Sequence, residues 1–333
     1  MGRNLEVLLL TSDEVRELLT MRDAIEAVEE AFREKGLGLV DMPPKLYLFF
    51  PKYDGDLRVM PAYMKKSDIA GVKIVNVHAK NPKEHGLPTV MAVIELVDPA
   101  TGAPLALMDG TLITAFRTGA AGGVAAKYLA RPDSRVIGVV GAGVQGRFQL
   151  RALAEILRDV ELVKVYDARR SAAECYVEEM SEELGLNIMA CPTVEETVKG
   201  IDVLVTATPS RQPIVMAEWV DYGLHINAIG ADAPGKEELD PEILKRAKIV
   251  VDDVEQASHS GEINVPLSKG ILRLEDIYGE LGEVVAGKKP GRETGDEITV
   301  FDSTGLAIQD VSVAWLVYRK AKERGVGTWV KLL

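Results

Sequence analysis

The chain has 333 residues, 47% of them hydrophobic and 27% charged, which is the composition of an ordinary globular protein with room for two domains. A formal net charge of −12 argues against a broad nucleic-acid surface, which needs clustered lysine and arginine. Cys175 and Cys191 form no CxxC pair, no apolar run is long enough to span a bilayer, and residues 1–10 lack a basic leader and cleavage site. A cytoplasmic protein is therefore expected.

Ser12-Asp13-Glu14 opens a helical pattern, which residues 21–35 continue with Ala24, Val28, Ala31 and Phe32 at helical spacing. Pro43-Pro44 ends it. The period then changes, and residues 46–50, 57–60, 72–77, 90–97 and 104–108 read as strands separated by Asp54-Gly55, Asn81-Pro82 and Asp98-Pro99 turns. An antiparallel or mixed sheet with flanking helices is expected. After Thr114, the small-residue run Arg117-Thr118-Gly119-Ala120-Ala121-Gly122-Gly123 is expected to lead into a helix ending at Leu129.

From Ser134 strands and helices alternate. Strands are expected at 136–140, 162–166, 188–191, 203–207, 225–229 and 249–251, and helices at 145–157, 171–184, 194–199 and 241–246. That alternation is the pattern of a doubly wound parallel sheet. A last amphipathic helix, 306–323, returns to the first domain. The expected architecture is α/β: a Rossmann domain over 117–306, and an α+β substrate-binding and dimerisation domain over 1–116 with 307–333.

Gly141-Ala142-Gly143-Val144-Gln145-Gly146 is a complete GxGxxG between an apolar strand and a helix. The glycines serve a tight turn, close approach of a pyrophosphate, and helix–strand packing. The helix N-terminus offers free N–H groups and positive potential to the phosphates. Asp167 ends the second strand, where a carboxylate grips the adenosine ribose hydroxyls, so NAD is expected over NADP; Arg169 and Arg170 weaken that preference. Thr206, Thr208 and Ser210 end the fourth strand and are placed to line the cofactor cleft. His78, His85, His225 and His259 show no metal-ligand spacing, and no GxSxG elbow occurs, so neither a metal site nor a serine nucleophile is expected.

Several strings resemble the ornithine cyclodeaminase/mu-crystallin family: Lys73-Ile74-Val75-Asn76-Val77-His78, Gly86-Leu87-Pro88-Thr89-Val90, the Arg117 run, Gly230-Ala231-Asp232-Ala233-Pro234-Gly235-Lys236, and Val300-Phe301-Asp302-Ser303-Thr304-Gly305. Within the family the chain is most similar to the archaeal-type alanine dehydrogenases, through Met42-Pro43-Pro44-Lys45 and Asp56-Leu57-Arg58-Val59-Met60-Pro61-Ala62. The resemblance implies a homodimer joined through the first domains, with a substrate pocket between the two domains. It implies hydride removal from an amino acid's α-carbon, here oxidative deamination of L-alanine to pyruvate and ammonia. The alternatives are ornithine cyclodeamination, reduction of a cyclic imine, or a nucleotide-holding protein without turnover.

It also implies site residues. Lys45, Arg58, Lys73, Thr89 and Arg117 match substrate positions, with Lys73 and Asp232 as the acid/base pair. Arg117, Thr118, Gly141, Gly143, Val144, Gln145, Asp167, Ala168, Arg169, Thr206, Thr208, Ile229, Gly230, Lys236 and Ser303 fall on cofactor positions. Bland alternatives stand beside several. Arg117 in an interdomain ion pair, Arg58 or Lys73 on a solvated strand face, and Asp232 capping the turn before Pro234-Gly235 are each compatible with the sequence.

Overall fold

The computed structural model describes residues 5–332. The chain forms two compact units, one from the segment up to Arg117 together with the segment from Leu306 onward, the other Thr118–Gly305. No helix among the described residues is long and apolar enough to cross a membrane.

The first unit is built on a mixed sheet of β1 (Glu6–Leu10), β2 (Leu46–Phe50), β3 (Gly55–Met64), β4 (Ile69–His78), β5 (Val90–Val97) and β6 (Pro104–Asp109). Its order is Thr328–Lys331, β1, β6, β5, β4, β3, Val40–Asp41, with β2 also paired to β3. Only β1 and β6 run parallel; the other pairs are antiparallel. Alternation along β3 and β4 sends Arg58, Met60, Ala62 and Met64, and Ile69, Gly71, Lys73 and Val75, to one face. That face packs under the terminal helix, Ala307–Arg324, which also packs on α1 (Met21–Gly36). A Cβ on Gly71 would lie 3.2 Å from Val311, so the bare strand admits the helix closely.

A correction concerns the small-residue run. The helix expected after it instead contains it: α2 spans Gly110–Leu129. Asp109 starts the helix early, accepting from the Thr111 N–H (3.2 Å) and the Leu112 N–H (2.8 Å). Mid-helix glycines cost about 1 kcal/mol each relative to alanine. Here they are needed for close packing. A Cβ on Gly119 would overlap the Phe148 carbonyl, and one on Gly122 the Gln149 amide, both on α3 (Val144–Ile156).

The second unit holds a sheet in which every pairing is parallel. Its strands are β7 (Val136–Val140), β8 (Leu162–Tyr166), β9 (Ile188–Ala190), β10 (Val203–Thr206), β11 (His225–Ala228), β12 (Ala247–Val251) and β13 (Ile298–Asp302). The order is β9, β8, β7, β10, β11, β13, β12, then Gly279–Glu280. The chain leaves β7 in one direction and resumes at β10 in the other, so a crevice opens at the carboxyl ends of β7 and β10. A separate parallel pair, Arg211–Val215 with Glu237–Leu239, was not foreseen, because Pro213 and the acidic Glu237 and Glu238 break any strand-like alternation.

A buried polar chain ties α2 to this sheet. Gln149 donates to the Thr118 carbonyl (2.8 Å), Asn227 to the Gly122 carbonyl (3.1 Å), and the His225 ring sits between Asn227 (3.0 Å) and Thr299 (2.9 Å). Burial pushes the His225 pKa down to about 3, so the ring is a neutral structural element. Gly119→Ala should therefore destabilise the protein by about 1–3 kcal/mol, because backbone on α3 cannot yield. The thermal midpoint checks this, with Gly295→Ala, where a Cβ meets nothing within 4 Å, expected to leave it unchanged.

Candidate active site

In the first unit, Lys73 and Arg117 meet on one carboxylate. The Lys73 Nζ donates to Asp310 Oδ1 at 2.7 Å and to the Thr114 hydroxyl at 3.3 Å. Arg117 Nε donates to the same Asp310 oxygen at 2.9 Å, and its Nη1 to Gln309 Oε1 at 3.0 Å. The side chains of Lys73 and Asp310 are 1% and 0% exposed. Three elements supply the cluster: the inward face of β4, the middle of α2, and the first turn of the terminal helix. Loss of hydration is the largest influence on Lys73, followed by repulsion from Arg117; Asp310 opposes both, and Lys45 adds repulsion. The lysine pKa falls from 10.5 to about 7, so its amine can give and take a proton near neutrality.

Lys45 is half-buried ahead of β2. Arg58 shares the inward face with Lys73, on the neighbouring strand and two pairing positions removed. Its fork engages Asp56 twice, at 2.9 and 3.1 Å, and its guanidinium lies 5.3 Å from the centre of the Tyr47 ring. Thr89 stands half-buried just before β5, its carbonyl accepting from the His78 N–H at 2.8 Å. Asp310, Gln309 and Asp56 were not anticipated. Asp310 carried a signal, since it falls on the buried stripe Ala307, Val311, Ala314 and Val317, where an acid is out of place.

In the second unit the glycine turn has the form a dinucleotide needs. Gly141 takes φ +108°, and a Cβ there would lie 2.6 Å from the Ala207 carbonyl. Gly146 lies against the Gly141 carbonyl. A Cβ on Gly143 would meet nothing within 4 Å, and no side chain caps α3 there, so the helix N-terminus stands open to an anion. Val144 is exposed, and the buried Gln145 Oε1 makes no hydrogen bond among the described residues. Asp167 accepts from the Ala142 N–H (3.0 Å) and the Arg169 N–H (2.9 Å), which fixes its carboxylate at the end of β8 beside exposed Ala168 and Arg169. These features fit NAD.

Buried Glu238 joins the loops after β10 and β11. It accepts from the Thr208 N–H and hydroxyl, both at 2.7 Å, and from the Gly230 N–H at 2.9 Å. Ile229 is buried beside this clamp, and Thr206 ends β10 buried. Asp232, in the loop after β11, pairs with Lys236 at 2.5 Å. Ser303 follows β13, buried, with a hydroxyl that makes no hydrogen bond among the described residues. No group of three or more metal-ligating side chains occurs among the described residues.

The sequence profile of the ornithine cyclodeaminase/mu-crystallin family matches residues 5–325. The chain belongs to this family. An alanine dehydrogenase of Archaeoglobus fulgidus is 56% identical over 327 residues, 98% of this chain and 99% of that protein. A solved archaeal alanine dehydrogenase dimer with bound NAD superposes with a TM-score of 0.94 at 56% identity, covering 99% of this chain and 100% of the other. The Δ1-pyrroline-2-carboxylate reductase of Thermococcus litoralis, solved with NADH and L-proline, gives a TM-score of 0.94 at 44% identity over 97% and 99% of the two chains.

The open space at Gly143 separates folding from cofactor binding in this family member. Gly143→Ala should leave the thermal midpoint of the free protein unchanged while weakening NADH by on the order of tenfold or more, as fluorescence titration would read.

Proposed function

We propose that the protein catalyses the oxidative deamination of L-alanine to pyruvate and ammonia, and the reverse amination, with NAD as hydride acceptor. The enzyme class, an NAD-dependent dehydrogenase, rests on family membership over residues 5–325 together with the glycine turn and Asp167. The alanine reading is carried by the buried Lys73–Asp310–Arg117 cluster, in a chain 56% identical to an alanine dehydrogenase. A cytosolic location accords with the composition.

Arg117, with Lys45, holds the substrate carboxylate, because a planar guanidinium matches it bidentately and burial strengthens the attraction. Lys73 in its neutral form takes the proton of the substrate ammonium, which frees the nitrogen lone pair that assists loss of hydride from the α-carbon. NAD, when bound, accepts that hydride. Asp232 holds the nitrogen and orients the water that adds to the resulting imine. Lys73 then moves the protons needed for ammonia to leave. Per turnover, one alanine, one water and one NAD⁺ give pyruvate, ammonium, NADH and one proton, which leaves Lys73 for solvent and restores the neutral amine.

The first unit also carries an apolar sheet face turned outward. Leu46, Val59, Ile74 and Val93 follow one another across four strands, and Leu107 pairs with Leu9 beyond them. Leu46, Val93 and Leu107 are 61%, 44% and 42% exposed. A second copy of the chain is the occupant we assign to this face.

An amination screen with NADH, ammonia and 2-oxo acids tests the reading. Pyruvate should be preferred, and a faster reaction with pyrroline-2-carboxylate or with ornithine would replace alanine as the substrate. Lys73→Ala and Asp232→Ala should each lower turnover by about two to four orders of magnitude with NADH affinity nearly intact. Arg117→Ala should raise the KM for pyruvate as well as lower the rate. Light scattering should show a dimer at micromolar concentration, converted to monomer by Ile74→Lys with Val93→Lys; a wild-type monomer would exclude the assembly.

A further inference from the structure

We propose that Asp310 is a positioning residue for this reaction, one of its oxygens holding the Lys73 amine and the Arg117 guanidinium in fixed relation to each other. The proposal rests on the assignment of Lys73 as the acid/base. Its basis is the way Asp310 spends its hydrogen bonds. Oδ1 takes both cations, at 2.7 and 2.9 Å, whereas Oδ2 is buried and makes no hydrogen bond among the described residues. A carboxylate recruited to cap its own helix turn would accept from backbone N–H groups. Gln309, the neighbouring residue, does that instead, accepting from the Leu306 N–H at 3.3 Å while also taking Arg117 Nη1. Asp310 is thus committed to the two functional cations.

The surroundings make that commitment consequential. Lys73 is faced by Asp310 from the terminal helix, by Arg117 and Thr114 from α2, and by Lys45 ahead of β2; Gln309 bonds Arg117, and the Arg58–Asp56 pair lies further along the same face of β3. Among the charged influences on the lysine, Asp310 favours its protonated form, while Arg117 and Lys45 oppose it. Without the carboxylate, Lys73 and Arg117 would repel each other in a buried space, and the arginine fork would lose the bond to Nε that sets its plane. One substitution should therefore change two quantities that ordinary loss of packing would not couple.

The test uses the full-length enzyme labelled with 13Cε-lysine, with the Lys73 resonance assigned by its absence in Lys73→Met. Wild-type Lys73 should titrate at about 7. In Asp310→Asn the titration, and the matching limb of the kcat/KM profile against pH, should both move down by about one unit or more. The KM for pyruvate should rise severalfold in the same variant. Asp310→Glu should return the titration toward the wild-type value while keeping a raised KM, because its longer side chain restores the charge but not the placement. A folded Asp310→Asn whose titration and profile match wild type would overturn the proposal. If Asp310→Asn does not fold, Asp310→Glu decides alone: a wild-type KM there would equally overturn it. Full turnover in Lys73→Ala would instead remove the acid/base assignment beneath the proposal, a separate outcome that the titration does not mimic.

Discussion

The first unit is organised around two buried cations that share one carboxylate oxygen. Lys73 and Asp310 lie 237 positions apart in sequence, and Arg117 and Asp310 lie 193 apart. A fully buried lysine is tolerable only where an opposite charge meets it, and breaking such a pair costs about 3–5 kcal/mol. The terminal helix therefore has to come back to the sheet after the second unit is complete, and Gly71 gives it room to do so. The same arrangement leaves the pair imbalanced, with one carboxylate serving two cations. Loss of hydration, with repulsion from Arg117 added to it, outweighs the pull of Asp310 and brings the lysine pKa down to about 7.

The second unit solves burial of charge differently. Glu238, Glu262 and Asp302 are all buried, and their partners are backbone N–H groups and hydroxyls rather than cations. Loss of hydration pushes each carboxyl up, Glu262 further by the nearness of Glu238, and Asp302 to about 8. A folded-state pKa raised in this way contributes stability that is complete below the ordinary carboxylate range and is lost as pH rises through about 8. Glu238 holds the loops after β10 and β11 at the carboxyl edge of the sheet, where Thr208 and Gly230 lie; Glu262 holds the backbone of Glu238 and Leu239, and Asp302 that of Ile263.

How much of this was legible depended on whether the signal was local. The bounds of β2, β5, β7 and β8 follow from apolar runs closed by turn residues, and those strands formed where the pattern put them. The start of α2 was misplaced because glycines discourage a helix unless a neighbour requires them, and that neighbour, α3, lies some thirty residues further on. β1 and Thr328–Lys331 were passed over because both are short and find their partners far away in sequence, β1 lying between β6 and the edge strand Thr328–Lys331. The direction of Lys73 could not be read from Val72-Lys73-Ile74-Val75, since the outward face of this sheet is apolar too and both phases look alike. Asp310 was visible only as an acid in an apolar stripe, without anything local to name its partners.

The cofactor preference shows what geometry adds to a motif. In the sequence, Asp167 spoke for NAD, while Arg169 and Arg170 left room for the extra phosphate of NADP. In the folded chain the Asp167 carboxylate is held by two backbone N–H groups, so it cannot swing aside for a phosphate. The Arg169 side chain is 79% exposed, with its Nε 3.8 Å from that carboxylate, so its charge is drawn toward the group a phosphate would have to displace. Arg170 points its guanidinium at Glu174, 2.8 Å away on the next turn of its helix. Neither arginine is buried or pre-set to receive a phosphate, and an exposed side chain gains little from a single ion pair. The fixed anion outweighs the mobile cations, which is the physical reason the site takes NAD.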